Sequence, residues 1–239
     1  MQPKIKTITY KFRLENGTEK EFSVRLSTPG LRQEIDVRAV APAWTKLEHQ
    51  QCPNCPLKPA DSPRCPVAVS LIDVVEFFKD HPSYEVVQVK IDSEVREFSG
   101  TKSLQAVLSS LMGLHMATSG CPVLDALRPM VFTHLPFSTM EETLFRVMSM
   151  YLVAQFLRAR RGQAPDWELK NLVRMYEDIY AVNVAFIRRI QSINPKDASL
   201  NAVANLDCFG AFTRFSLEKK SLEQLEALYE AYLKDDAAA

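Results

Sequence analysis

Polar and apolar residues alternate in two pairs of segments in the first half of the chain. The first pair, ITYKFRL and EFSVRL, flanks Asn16-Gly17, a dipeptide typical of tight hairpin turns. The second pair, YEVVQVKI and EVREFSG, has its expected turn at Asp92 and Ser93. The alternation therefore predicts two antiparallel hairpins, each with one apolar face.

After Gly100 the apolar positions recur at helical spacing. The segment SLQAVLSSLMGLHMATS predicts a helix that ends at Gly120. Ser138 and Glu141 match a capping box at the start of a long helix, which Gly162 ends. Further helices are expected at residues 166–193, 198–215 and 221–233.

The order of these elements predicts an α+β protein, in which a small antiparallel sheet from two β-hairpins packs with a mostly helical C-terminal half. We divide the chain into two parts. Residues 1–100 carry the hairpins, a Cys-Pro loop and one helix, VAVSLIDVVEFFKDH, and residues 101–239 are helical. We expect the two parts to pack as one unit.

Composition and charge narrow the classes of partner. The 29 Lys and Arg residues balance 29 Asp and Glu residues, so no net positive field favours binding to nucleic acid. The apolar runs are shorter than the roughly 20 residues that a membrane-spanning helix needs, and the first residues lack the apolar region of a secretory signal. We therefore expect no membrane association and a cytoplasmic location. A protein partner or a homo-oligomer stays open.

Four of the five cysteines directly precede proline: Cys52, Cys55, Cys65 and Cys121. Proline is favoured as the first residue of a helix, so Cys65 and Cys121 are predicted to be helix N-caps. A thiolate at that position is stabilised by free backbone N–H groups and by the helix dipole. The repeated pattern thus indicates a chemical use for these thiols.

The four sulfurs together predict a structural zinc site. Cys52 and Cys55 form a CxxC turn, a spacing that lets both sulfurs face one ion. A reducing cytoplasm disfavours disulfides, and a tetrahedral zinc site takes four thiolates at about 2.3 Å. Because Cys121 follows the second hairpin, such a site would also link the two parts of the chain.

Other uses of the same cysteines stay open. Four thiolates also suit a [4Fe-4S] cluster, and Cys-Pro pairs are found in ferredoxin-type runs. Zinc is preferred because the sequence contains no flavin or dinucleotide fingerprint that would indicate a redox partner. The cysteines could instead be small buried apolar residues or a redox pair, while Cys208 fits an apolar helical pattern and is predicted to be a core thiol.

An enzymatic alternative makes Cys121 a nucleophile activated by its helix N-terminus. His115 or His134 would then be the base, and Arg128 would steer an anionic substrate. The chain contains no GxSxG, HExxH, P-loop or GxGxxG motif. We therefore assign no catalytic residue and favour a non-enzymatic sensing or interaction role.

Three stretches carry a resemblance to a known family. They are W-T-K-L-x-x-x-Q-C-P-N-C-P-L at residues 44–57, S-P-R-C-P-V-A at residues 62–68, and S-G-C-P-V-L-D-A-L-R-P-M with T-H-L-P-F and E-E-T at residues 119–143. Together they resemble a family of uncharacterised bacterial proteins classed as a domain of unknown function. The resemblance implies a bacterial cytoplasmic protein and supplies no activity, substrate or ligand set.

Overall fold

The computed structural model describes residues 4–35, 41–219 and 222–233. Its sheet has five antiparallel strands in the order β3-β2-β1-β4-β5. The strands are β1 (Lys4–Arg13), β2 (Glu19–Thr28), β3 (Arg32–Gln33), β4 (Val86–Ser93) and β5 (Glu97–Ser103). The α-helices are α1 (Pro66–Ser70), α2 (Ile72–Phe78), α3 (Leu104–Thr118), α4 (Met140–Arg160), α5 (Lys170–Gln191), α6 (Ala198–Lys219), α7 (Glu223–Leu228) and α8 (Glu230–Leu233). The predicted α+β class is confirmed.

The alternating pattern places one face of the sheet in the core. In β1, Ile8, Tyr10 and Phe12 are buried, while the residues between them face outward or lie at intermediate exposure. Tyr10 lies opposite Phe22 of β2 and Ile91 of β4, so the same face is apolar across the central strands. Burial of these side chains stabilises the sheet by roughly 1.5–3 kcal/mol each.

The first hairpin turns where it was predicted, and the second does not. Gly17 has φ +83°, a conformation that glycine adopts without steric cost. In the second hairpin the predicted turn at Asp92 and Ser93 is wrong, because both residues belong to β4 and Asp92 pairs with Glu97 across the ladder. Lys11 binds the Asp92 carboxylate at 2.9 Å, which favours the longer strand.

The start of α4 is displaced by one residue from its predicted position. Thr139, not Ser138, is the N-cap, and Glu142, not Glu141, completes the box. The Glu142 N–H donates to Thr139 Oγ1 at 3.2 Å, and the Thr139 N–H donates to Glu142 Oε2 at 2.7 Å. Two overlapping matches exist in Ser-Thr-Met-Glu-Glu, so the motif alone does not separate them.

Helix α3 occupies the centre of the molecule. It packs against α6, the sheet and a 3₁₀ segment, Leu124–Thr133, and it is buried on most sides. One hydrophobic core contains residues from the sheet and from the helices that follow it. The division of the chain at residue 100 stays a prediction. Within the described ranges, no helix has the length and apolar character to cross a membrane.

Candidate metal centre

A short backbone bridge brings the CxxC turn close to Cys65. Lys46 and Arg64 form an isolated antiparallel bridge. Beside it, the Cys65 N–H donates to the Thr45 carbonyl at 2.8 Å. Within the turn, the Cys55 N–H donates to the Cys52 carbonyl at 3.1 Å. The bridge therefore closes the Cys-Pro loop and sets its three sulfurs in one region.

Cys65 is the N-cap of α1, and Pro66 is the first helical residue, as predicted. The corresponding prediction for Cys121 is wrong, because residues 122 and 123 form a turn and a 3₁₀ helix begins at Leu124 with Val123 as its cap. Burial raises the pKa of Cys121, while the backbone N–H groups of Leu124 and Val123 lower it. The free amides expected around this sulfur are thus present although the helix begins later.

The four Cys-Pro thiols interact electrostatically. Burial, together with smaller contributions from Cys65, Cys121 and Cys55, raises the pKa of Cys52 to about 12. Such effects weaken with distance, so the four side chains lie in the same region of the fold. The structure therefore groups the cysteines that the sequence singled out, and the thiols of Cys52 and Cys121 are protonated at neutral pH.

A buried arginine completes this group. Arg189 of α5 is 2% exposed, and its guanidinium donates to the carbonyls of Trp44, Lys46 and Leu47 at 2.6, 2.6 and 3.1 Å. Burial lowers its pKa, whereas the nearby cysteines raise it. No carboxylate of the described residues forms an ion pair with it. Arg189 is thus a buried cation whose potential counter-charges are thiolates.

Two side-chain contacts fix the rest of the loop on α5. The Asn54 amide, inside the CxxC turn, donates to the backbone carbonyl and the carboxylate of Asp178 at 3.0 and 3.1 Å. His49 Nε2 is hydrogen-bonded to Ser192 Oγ at 2.7 Å, so this histidine is engaged away from the thiols. The loop is therefore held along α5 over several turns of that helix.

The grouping falls short of a preformed coordination shell. Across the described chain, no three or more His, Cys, Asp or Glu side chains are arranged so that they could hold a metal ion as they stand. None of the five cysteines is in a disulfide, and Cys121 is buried while Cys52, Cys55 and Cys65 are half-buried. What the arrangement offers is four free thiols in one region beside a cation.

The histidines do not support a nucleophilic role for Cys121. Gln33 Nε2 lies 3.1 Å from His115 Nδ1, and the Tyr10 hydroxyl lies 2.7 Å from His134 Nε2. Burial lowers the pKa of each histidine to about 4. Both imidazoles are therefore neutral and bonded to other groups, and the pKa of the proposed nucleophile is raised instead of lowered.

Arg128 also has a different environment from the one expected for steering a substrate. Its Nε lies 3.1 Å from Asp125 Oδ1, and its Nη1 donates to the Gly30 carbonyl at 2.8 Å. These contacts tie the 3₁₀ segment to the turn after β2. The predicted core position of Cys208 is wrong as well, because this residue is exposed on α6.

Arg189 was missed by sequence reasoning, although a signal was present. It follows Phe186 by three residues and precedes Ile190, so it falls on the buried stripe of an otherwise amphipathic helix. A cation on that stripe needs acceptors, and here the loop carbonyls supply them. Its neighbour Arg188 lies on the exposed side.

Comparison with known proteins gives one match. Residues 8–230 match the model of a family described as "Domain of unknown function (DUF6901)". No curated protein and no solved structure matches the chain.

Proposed function

We propose, for a chain that belongs to the DUF6901 family, a function based on its own cysteine group. Cys52, Cys55, Cys65 and Cys121 are proposed to bind one zinc ion in a structural site, within a protein that senses or binds a partner. The observation that carries the proposal is the mutual electrostatic effect of these four thiols, which come from three separate places in the fold.

Charge balance supports this assignment. Four thiolates around Zn²⁺ leave a net charge of about −2, which is costly in a partly buried place without compensation. Arg189 supplies one positive charge, and the amides of Leu124 and Val123 supply partial positive charge at Cys121. The zinc site would thereby supply a negative charge to Arg189, which has no carboxylate partner among the described residues.

Zinc binding would also release protons from the thiols and link separate segments of the chain. Without metal the raised pKa values keep thiols protonated, so zinc binding displaces protons and its affinity falls as the pH is lowered. The four sulfurs would have to move together, because the described residues do not form a metal-holding group as they stand. The bound ion would connect the Cys-Pro loop, the start of α1 and the end of α3, which adds the stability of a cross-link.

The same ligands would hold a [4Fe-4S] cluster, the second candidate. The observation that favours it is the proline after each of the four cysteines, since a Cys-Pro pair also ends ferredoxin-type runs. In either case the free thiols suit a reducing compartment, which is why we propose the cytoplasm.

Metal analysis of protein purified without oxygen tests the assignment. We expect about one zinc per chain, lost in Cys65→Ser and in Cys121→Ser, because zinc requires all four thiolates. Cys208→Ser is the matched control and should keep its zinc, since Cys208 is exposed and belongs to α6.

The possible outcomes are distinct. About four irons with sulfide and a brown colour would select the cluster over zinc. Folded wild-type protein without zinc or iron, with all five thiols reacting with a thiol reagent after unfolding, would refute both metal proposals. Equal zinc content in Cys121→Ser and wild type would refute the inclusion of Cys121.

A further inference from the structure

A cavity of about 430 Å³ lies among the helices. Its walls come from α3, the 3₁₀ segment, α4, α5 and α6, and most of the lining is apolar. The apolar part includes Leu114, Leu127, Val131, Phe137, Ile179 and Leu206. This volume falls within the range of about 300–1,000 Å³ that is typical of small-molecule sites.

Arg146 of α4 places a cation in the wall of this cavity. Its Nη2 donates to the Met130 carbonyl at 2.8 Å, while its Nε is buried and has no hydrogen-bond partner. Glu142, one turn earlier, acts on Arg146 only at longer range, and its Oε2 accepts from the Thr139 N–H. No ion pair of Arg146 exists among the described residues.

The other polar groups near Arg146 are uncharged. His134 and Tyr176 also line the cavity, and Arg146 acts electrostatically on both. Burial keeps the pKa of His134 at about 4 and raises that of Tyr176, so both side chains are neutral at pH 7. Since Lys102 is also in its lining, the cavity combines apolar walls with two positive charges and a few neutral hydrogen-bonding groups.

We propose that this cavity binds an apolar monocarboxylate, whose carboxylate pairs with Arg146 and whose hydrocarbon part lies against the apolar walls. A single guanidinium matches a single carboxylate, since the planar fork binds carboxylates with two parallel hydrogen bonds. Lys102 belongs to the same lining and adds positive charge that also favours an anionic head group.

This ligand site is independent of the metal site. It uses Arg146 and apolar side chains of the helices, whereas the metal site uses Cys52, Cys55, Cys65 and Cys121, none of which lines the cavity. A failure of either proposal therefore leaves the other untouched.

Calorimetric titration of the full chain with dodecanoate, below its micellar concentration, tests the proposal. We expect saturable binding, with dodecan-1-ol at least tenfold weaker because it lacks the charge that Arg146 neutralises. Arg146→Gln should weaken dodecanoate binding at least tenfold. Arg174→Gln is the control and should leave it unchanged, since Arg174 is exposed on α5 and outside the cavity lining.

A second variant keeps the test decisive if Arg146→Gln fails to fold. Ala106→Trp adds a large ring at a half-buried lining position, so it should abolish binding of dodecanoate. The proposal is overturned if the wild-type protein does not bind dodecanoate, if the alcohol binds equally well, or if a folded Arg146→Gln variant binds dodecanoate like the wild type.

Discussion

Arg189 and Arg146 both reach into the helical part of the molecule, but their guanidinium groups differ in the partners that they have. Arg189 is enclosed and donates to three loop carbonyls, and three cysteines raise its pKa. Arg146 has one carbonyl partner and a buried Nε without any. A guanidinium that donates to three carbonyls holds structure together, because it joins its helix to the loop that supplies them. A guanidinium with an unused donor next to a cavity can bind something else.

Removal of each arginine should separate these roles most clearly. Arg189→Met leaves the carbonyls of Trp44, Lys46 and Leu47 without their donor, so we expect it to lower the free energy of unfolding by at least about 3 kcal/mol. Arg146→Met removes one hydrogen bond and adds apolar surface to an apolar cavity. Its cost should be no more than about 1 kcal/mol.

Urea unfolding followed by circular dichroism measures both changes. Arg188→Met is the matched control for Arg189, since it alters the exposed neighbour on the same helix and should stay within about 0.5 kcal/mol of wild type. If Arg189→Met and Arg146→Met cost the same, the contrast between a guanidinium with three carbonyl partners and one with a single partner is wrong.

The two buried histidines give a smaller effect that depends on pH. Each has a folded-state pKa of about 4, below the value of 6.5 in an unfolded chain. The unfolded chain therefore binds a proton first, and stability present above pH 6.5 is lost as the pH falls towards 4. We expect a loss of about 1.4 kcal/mol per pH unit for each histidine.

Unfolding free energies between pH 4.5 and 7 check this dependence. His134→Gln, at the cavity, and His115→Gln, beside Gln33, should each reduce the slope by the contribution of one proton. Their effects should add, because the two imidazoles have separate partners. If both variants keep the wild-type dependence of unfolding free energy on pH, the two histidines are not buried in the neutral state.

The helix cap of α4 gives the smallest of these changes. Thr139→Ala removes the acceptor of the Glu142 N–H and should cost about 1 kcal/mol. Ser138→Ala is the natural control, because the Ser138 hydroxyl bonds to Thr143 and caps no N–H at this terminus. Thermal unfolding measures the stability of both variants. If Ser138→Ala destabilises the protein more than Thr139→Ala does, Ser138 is the N-cap, as predicted from the sequence. Because α4 carries Arg146, the cap also supports the cavity wall.

Part of this comparison was accessible from the sequence. Alternation in β1 and β2 predicted which side chains are buried, and the Cys-Pro pattern selected the four thiols that the structure groups. The turn of the second hairpin was not predictable from alternation, because Asp92 remains in the strand through its pairing with Glu97 and Lys11. The position of Cys121 relative to its helix depended on a turn that Pro122 allows but does not dictate.

The cavity and both buried arginines lay beyond sequence reasoning. Arg146 is one of several arginines on helices, and its role depends on α3, α5 and α6 closing around it. The position of Arg189 on the buried stripe of α5 is a weak signal in the sequence. Its three acceptors, however, come from a loop more than 140 residues earlier.

Local patterns by themselves determined the strands, most helices, the α+β class and the candidate thiols, because periodicity, turn residues and caps act over a few neighbouring residues. The tertiary structure alone decided which charges are satisfied. Whether a guanidinium meets three carbonyls or a vacant apolar space depends on contacts between distant segments, and these are set by packing of the whole core.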